Sequence, residues 1–194
     1  SQLAGMTAGQ FAALSESQVQ AMSTTEVAAL STAQVATMGS GAVSLMSSAQ
    51  IKALSSSQVA SLTSTQLNAL SEEQIQALDT ADVAALTTSQ LAGLSNTKIT
   101  DLSSAQVKAL TTSQLPTLGT GQINALDADD ISAMSTSQIA SLSTLQVNKL
   151  SNASLEALTT SQVAGMTTSQ VAALGSAQIA VLTPDQVGAL GTSQ

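Results

Sequence analysis

The sequence predicts an all-α solenoid, a superhelix of 24 octapeptide repeats in which each unit is a short N-capped helical segment. Three observations carry this reading. Apolar residues recur at fixed places in an eight-residue unit that runs from Ser1 without insertion or deletion, leaving Ser193 and Gln194 to begin a 25th unit. A helix-start signature recurs once per unit at one place. The large aromatics that fill ordinary globular cores are missing, Phe11 being the single aromatic in 194 residues.

Numbered from Ser1, the unit reads x-Gln-(Val/Ile/Leu)-x-Ala-(Leu/Met)-(Ser/Thr)-(Ser/Thr). Column three is apolar throughout, from Leu3, Phe11 and Val19 to Val187, and column six holds only Leu or Met. These columns are i and i+3, so they share one face of a helical segment. Column five is mostly Ala, with Gly5, Gly93, Ser141 and Gly165 as small replacements and Asp101, Lys149 and Val181 among the larger exceptions. A small residue there lets neighbouring segments approach closely. Column four accepts Ala, Gln, Lys, Asn, Glu, Thr and Pro, as a solvent-facing position does.

Column seven is Ser, Thr, Asp or Gly in all 24 units, the residues favoured at a helix N-cap. Three residues on, column two is Gln in 18 units and Glu26 in another. Ser/Thr-x-x-Gln/Glu is the capping box, in which two side chains satisfy each other's backbone donors. Column eight then becomes the first helical position, where Pro184 is tolerated best. Pro116 falls in the fifth helical position, where it removes a hydrogen bond and disturbs one unit.

One continuous helix does not fit this pattern. An α-helix turns about 100° per residue, so an octad leaves its apolar pair about 80° from the previous pair. The stripe would wind around the helix, whereas a break at each cap keeps every pair facing inward. The structural rival is a β-solenoid, in which columns three and six would face opposite sides of a strand. Ala and Gln are poor strand formers, and the Gly/Asn turns of hairpins are missing. Two large aliphatics per octad do not offset the ordering of eight residues, so stacking must hold the units together and stability should grow with their number. Residues 1–194 form a single array. It lacks atypical polar end units, which leads us to expect a piece of a longer array, or a subunit whose ends are covered by partners; self-association, end to end or lateral, is a further expectation.

Composition narrows function. There is no His or Cys, and four Lys against 12 acidic residues give a net charge of −8. Imidazole bases, thiolate nucleophiles, zinc sites and disulfides are thereby excluded, and scattered Lys on an acidic chain disfavour nucleic acid. No apolar run approaches the roughly 20 residues of a membrane span. We therefore expect neither an enzyme nor a cofactor.

Individual candidates reduce to the repeat. Asp127, Asp129 and Asp130 carry calcium-ligand chemistry but lack an EF-hand spacing, and Asp127 is the cap column. Glu72 and Glu73 are acids of a first helical turn. Lys52, Lys98, Lys108 and Lys149 share no Ser-x-x-Lys pattern, so no hydroxyl has a general base. Gly39 and Gly119 occupy the cap column, with no GK[ST] after either GSG or GTG; they read as cap variants or points of extra flexibility. The six Met replace Leu in column six and read as core. We assign no catalytic, cofactor-binding or metal residues. The paired hydroxyls of columns seven and eight, such as Thr87-Thr88, Thr111-Thr112, Thr159-Thr160 and Thr167-Thr168, form a regular ladder suited to ice, mineral or glycan. Glu16, Glu72, Asn96, Asn152 and Pro184 interrupt it in column eight.

ALTTSQLAGL (85–94) and GMTTSQVAALGSAQIAVL (165–182) resemble the repeat tracts of very long bacterial secreted surface proteins, including adhesin- and haemagglutinin-like chains. The resemblance spans the whole chain and implies an extracellular or cell-surface location. It also implies a role as an extended spacer, stalk or filament-forming segment, with any surface or glycan ligand bound elsewhere in the full-length protein.

Overall fold

A computed structural model describes residues 2–192 and 194, apart from the side chains of Gln2 and Ala4. Among the described residues there are 22 α-helices of four to six residues, two short 3-10 segments and no strand. The β-solenoid is thereby excluded. The chain divides into two compact units, Ser1–Leu102 and Ser103–Gln194.

Each octad is built by the same two backbone bonds. The N-cap carbonyl accepts from the column-three N–H four residues later, as Ser55 does from Val59 at 2.9 Å. The column-three carbonyl accepts from the column-six N–H three residues later, as Ile51 does from Leu54 at 3.1 Å. Tightening from a four-residue to a three-residue bond closes the helix, and the next residues run extended: Leu70 at φ −66°, ψ 145° and Ser71 at φ −73°, ψ 168°. The cap then restarts it. In the Ser55 octad the Ser55 hydroxyl accepts the Gln58 N–H at 3.3 Å, while the Ser55 N–H reaches Gln58 Oε1 at 2.7 Å. That is a complete capping box, as the column pattern predicts.

The break needs no left-handed residue. No described residue has positive φ or a cis peptide bond. Gly39 and Gly119 sit in extended backbone at φ −63° and −66°, which any residue adopts. Each is a cap variant that lacks a capping side chain. Pro184 begins the helix Pro184–Gly188 at a tolerated position. Pro116 replaces the α-helix of its octad by the 3-10 segment Leu115–Thr117, and Leu115 remains fully buried. The disturbance is confined to that octad, as a missing N–H and a fixed φ require.

Within the first unit, helices three octads apart pack together, for example Ser40–Ser44 on Ser64–Ala69. The second unit does the same with Ala128–Ala133 on Asn152–Glu156. Side-chain hydrogen bonds from turn to turn span 25 to 31 residues, so each coil closes after more than three and fewer than four octads. Column three lies deepest: Val27, Val59, Ile99, Val107 and Ile139 are all fully buried. Column six flanks it, with Met22, Met38, Met46, Met134 and Met166 all in the core.

Column five lies where turns approach closely. A Cβ on Gly93 would stand 2.8 Å from Ser64 Cβ, and one on Gly165 would stand 1.9 Å from Thr136 Cγ2. Both neighbours lie one coil turn earlier.

Candidate functional site

Interrupting a helix every eight residues leaves orphaned polar groups at each interruption: N–H groups at the new start and carbonyls at the old end. Buried backbone groups of this kind must be paired. One side chain meets both needs. The column-two amide takes the N-cap N–H on Oε1 within its own octad, and its Nε2 donates to carbonyls of the preceding coil turn. Gln66 shows the geometry. Its Oε1 accepts from the Thr63 N–H at 2.6 Å, and its Nε2 donates to Val35 O at 2.9 Å and Met38 O at 2.8 Å.

The Met38 carbonyl is a column-six group left free by the break, so the amide joins the orphan acceptor of one turn to the orphan donor of the next. In the first unit Gln34, Gln50, Gln58, Gln74 and Gln90 repeat the arrangement. In the second, Gln138, Gln146, Gln162, Gln170 and Gln186 do so. All of these amides are buried, at most 5% exposed. Among the described residues no buried side-chain N or O lacks a partner.

The sequence reading found only half of this role. A capping box accepts Glu as readily as Gln, yet column two is Gln eighteen times and Glu once. That skew is the signature of a required donor.

Departures in column two show what the position demands. Lys98 donates from Nζ to Leu70 O at 2.6 Å, the carbonyl a Gln would reach, and to Asp101 Oδ2 at 2.5 Å. Lysine has no acceptor for the cap, and Asn68 supplies it: Asn68 Oδ1 accepts from the Ser95 N–H at 2.8 Å. Asn68 Nδ2 also donates to Gly93 O at 2.8 Å. Asp101 and Lys98, odd in separate columns, are thus one ion pair.

Asp82 and Asp130 are buried carboxylates in the same column. Asp82 accepts from the Asp79 N–H at 3.0 Å and from the Ser56 hydroxyl, 26 residues earlier, at 2.7 Å. Asp130 accepts from the Asp127 N–H at 3.3 Å and from the Ser104 hydroxyl, again 26 residues earlier. Burial pushes the Asp130 carboxyl above its ordinary value, and the Asp127 and Asp129 charges add to it against the lowering by the two hydrogen bonds. Half-buried Glu26, in the first coil turn, shows the opposite sign: the Ser23 N–H and hydroxyl hold its carboxyl low. Ala42 and Ser154 offer no cross-turn bond. Ser154 turns instead to Ser151 Oγ at 2.8 Å.

The other sequence candidates sit in the repeat. Asp127 and Asp130 form a reciprocal cap, while Asp129 is exposed. Among the described residues no three acidic side chains converge as around a metal ion, and no cavity opens. The Glu73 carboxyl is held low by its own backbone N–H and by the Ser71 hydroxyl, which donates to it at 2.8 Å. Lys52, Lys108 and Lys149 are exposed. Thr87, Thr159 and Thr167 spend their hydroxyl oxygens on caps, accepting from the N–H of Gln90, Gln162 and Gln170 at 3.1 to 3.2 Å. No helix is long and apolar enough to cross a membrane among the described residues.

A family model described as the ALTTAQ repeat matches seven overlapping stretches: residues 43–72, 75–112, 83–120, 112–144, 123–160, 144–176 and 164–192. No curated protein matches the chain.

Proposed function

The chain belongs to the ALTTAQ repeat family, and from that premise we propose that this structural repeat region is a non-enzymatic spacer or stalk of a bacterial cell-surface or secreted adhesin-like protein. The observation that carries the reading is where the polar chemistry goes. Column two and column seven spend their hydrogen bonds on the chain's own backbone, turn after turn, which builds length without shaping a receptor surface. A net charge of −8 with few cations disfavours nucleic acid as a partner.

The test is surface labelling and shortening. Antibody raised against the chain should label intact, unpermeabilised cells that make it, and removing octads in blocks should lower the display height of a downstream epitope in proportion. Label confined to permeabilised cells, or display height independent of octad number, would overturn the reading.

The hydroxyl ladder supports a second reading, binding of ice, mineral or glycan. It is the weaker one, because column-seven oxygens are engaged as caps and column eight is interrupted by Glu72, Asn96, Asn152 and Pro184. Thermal hysteresis or saturable adsorption to a solid by the isolated chain would bring it forward.

A further inference from the structure

We propose that each of the two units is a force-extensible element that yields one coil turn at a time, releasing about 28 residues per event and re-forming when tension falls. The inference rests on the spacer reading and says how such a spacer behaves under load.

Four features lead to it. First, the cross-turn hydrogen bonds reach 25 to 31 residues and no further, so a turn is tied only to the turn before and the turn after. Freeing a terminal turn costs the bonds of that turn and leaves the rest intact. Second, the same tie recurs in four consecutive octads, from Gln50 to Met22 O, Gln58 to Leu30 O, Gln66 to Met38 O and Gln74 to Met46 O, so the turns joined by such ties resist tension about equally. Third, there is no Cys, and hence no disulfide to lock any turn against its neighbour. Fourth, most octads cap themselves with bonds three residues apart, so a released turn keeps the local signals for re-forming its helices.

Interruptions in the ladder then set the order of yielding. Ala42 in the first unit and Ser154 in the second stand in column two without a cross-turn donor. The turns they would tie lack the two or three amide bonds that a glutamine there donates. Arrays whose repeats contact only near neighbours behave as linear chains of coupled units, which permits partial opening where an ordinary domain opens as a whole.

The experiment is optical-tweezers extension of the full chain, held by handles at its two ends. The expected trace is a series of small steps near one force, each adding about 100 Å of contour length at about 3.6 Å per residue, with refolding at nearly the same force. Two large steps, each releasing a whole unit of about 90 to 100 residues, would overturn the proposal.

A Gln58→Ala, Gln66→Ala chain supplies the second arm. One or two steps should move to lower force while the others stay in place; a uniform shift of every step would count against turn-wise yielding. This readout is independent of location. Failed surface labelling with stepwise extension would remove the spacer reading alone, and unit-wise rupture with normal surface display would remove only the extensibility.

Discussion

The octad at Gln66 and the octad at Lys98 solve one problem with different atoms. At Gln66 a single neutral amide accepts from its own cap and donates across the turn. At Lys98 the donor is an ammonium, its charge is neutralised by Asp101 three residues on, and the cap acceptor comes from Asn68 in an earlier turn. Both octads deliver one donor across the turn and one acceptor to the cap, and neither leaves an unpaired charge. Gln is common there because it carries both on one planar group. Asp82 and Asp130 provide the acceptor alone and recruit a serine hydroxyl 26 residues earlier to fill the other side.

Breaking the comparison most severely means giving a buried rung charge and no donor. Gln58→Glu would set a carboxylate against the Val27 and Leu30 carbonyls, at a cost of about 3–5 kcal/mol at pH 7. The folded-state pKa of that Glu would lie above its unfolded value. The lost stability should therefore return below the unfolded value of about 4.3 and vanish again as pH rises through the folded one. Urea titrations at two pH values read this directly, and a variant as stable as wild type at pH 7 would mean the amide donors carry no load.

Lys98→Ala comes next. It leaves Asp101, 9% exposed, without its cation and the Leu70 carbonyl without a donor, at a cost of about 2–3 kcal/mol. The double change Lys98→Gln, Asp101→Ala rebuilds the consensus and should recover most of that loss in the same denaturation assay.

Gly93→Ala sharpens the packing side of the comparison. Its new Cβ meets Ser64 Cβ at 2.8 Å, so a backbone must shift, and about 1–2 kcal/mol is lost. Gly188→Ala serves as the control. Nothing lies within 4 Å of its Cβ and it ends a helix, so thermal melts should show a small gain.

The smallest effect is a gain. Asp130→Asn keeps an oxygen acceptor for the Asp127 N–H, turns an amide donor to the Ser104 hydroxyl oxygen and removes a buried charge, adding about 1 kcal/mol at pH 7. Because the folded carboxyl of Asp130 is raised, the wild type regains stability on acidification. The advantage of the variant should shrink as pH falls toward the ordinary carboxylate value and disappear below it.

Much of the fold was legible because its determinants are local. Ser55 and Gln58, three residues apart, announce a cap, and Pro116 announces an octad where the α-helix gives way to a 3-10 turn. The coil itself was not legible. How many octads close it depends on packing between residues about 28 apart, for which no column carries a local signal. Column two held a clue in its preference for Gln over Glu, since Glu satisfies the cap and fails only across the turn. Lys98 and Asp101 were visible as separate oddities at an i, i+3 spacing. Asn68 was beyond reach, because its pairing with Ser95 spans 27 residues and exists only once the coil has closed. Gly39 and Gly119 were legible as cap variants from their column alone, and the extended backbone there is one that any residue adopts.

The helix Ser64–Ala69 packs on Ser40–Ser44, three octads earlier, while its Gln66 bonds to the end of Thr32–Thr37, four octads earlier. Each helix thus straddles a joint, as bricks do in successive courses of a wall. Duplicating or deleting a single octad, the simplest copying error in such a gene, would keep every local rule and yet rotate all downstream side chains of that unit by a little over a quarter of a coil. Because a coil closes between three and four octads, adding or removing whole octads to the number of one coil does not restore the original facing. Any surface pattern carried on these units is therefore indexed by the coil, although the sequence is written in eights.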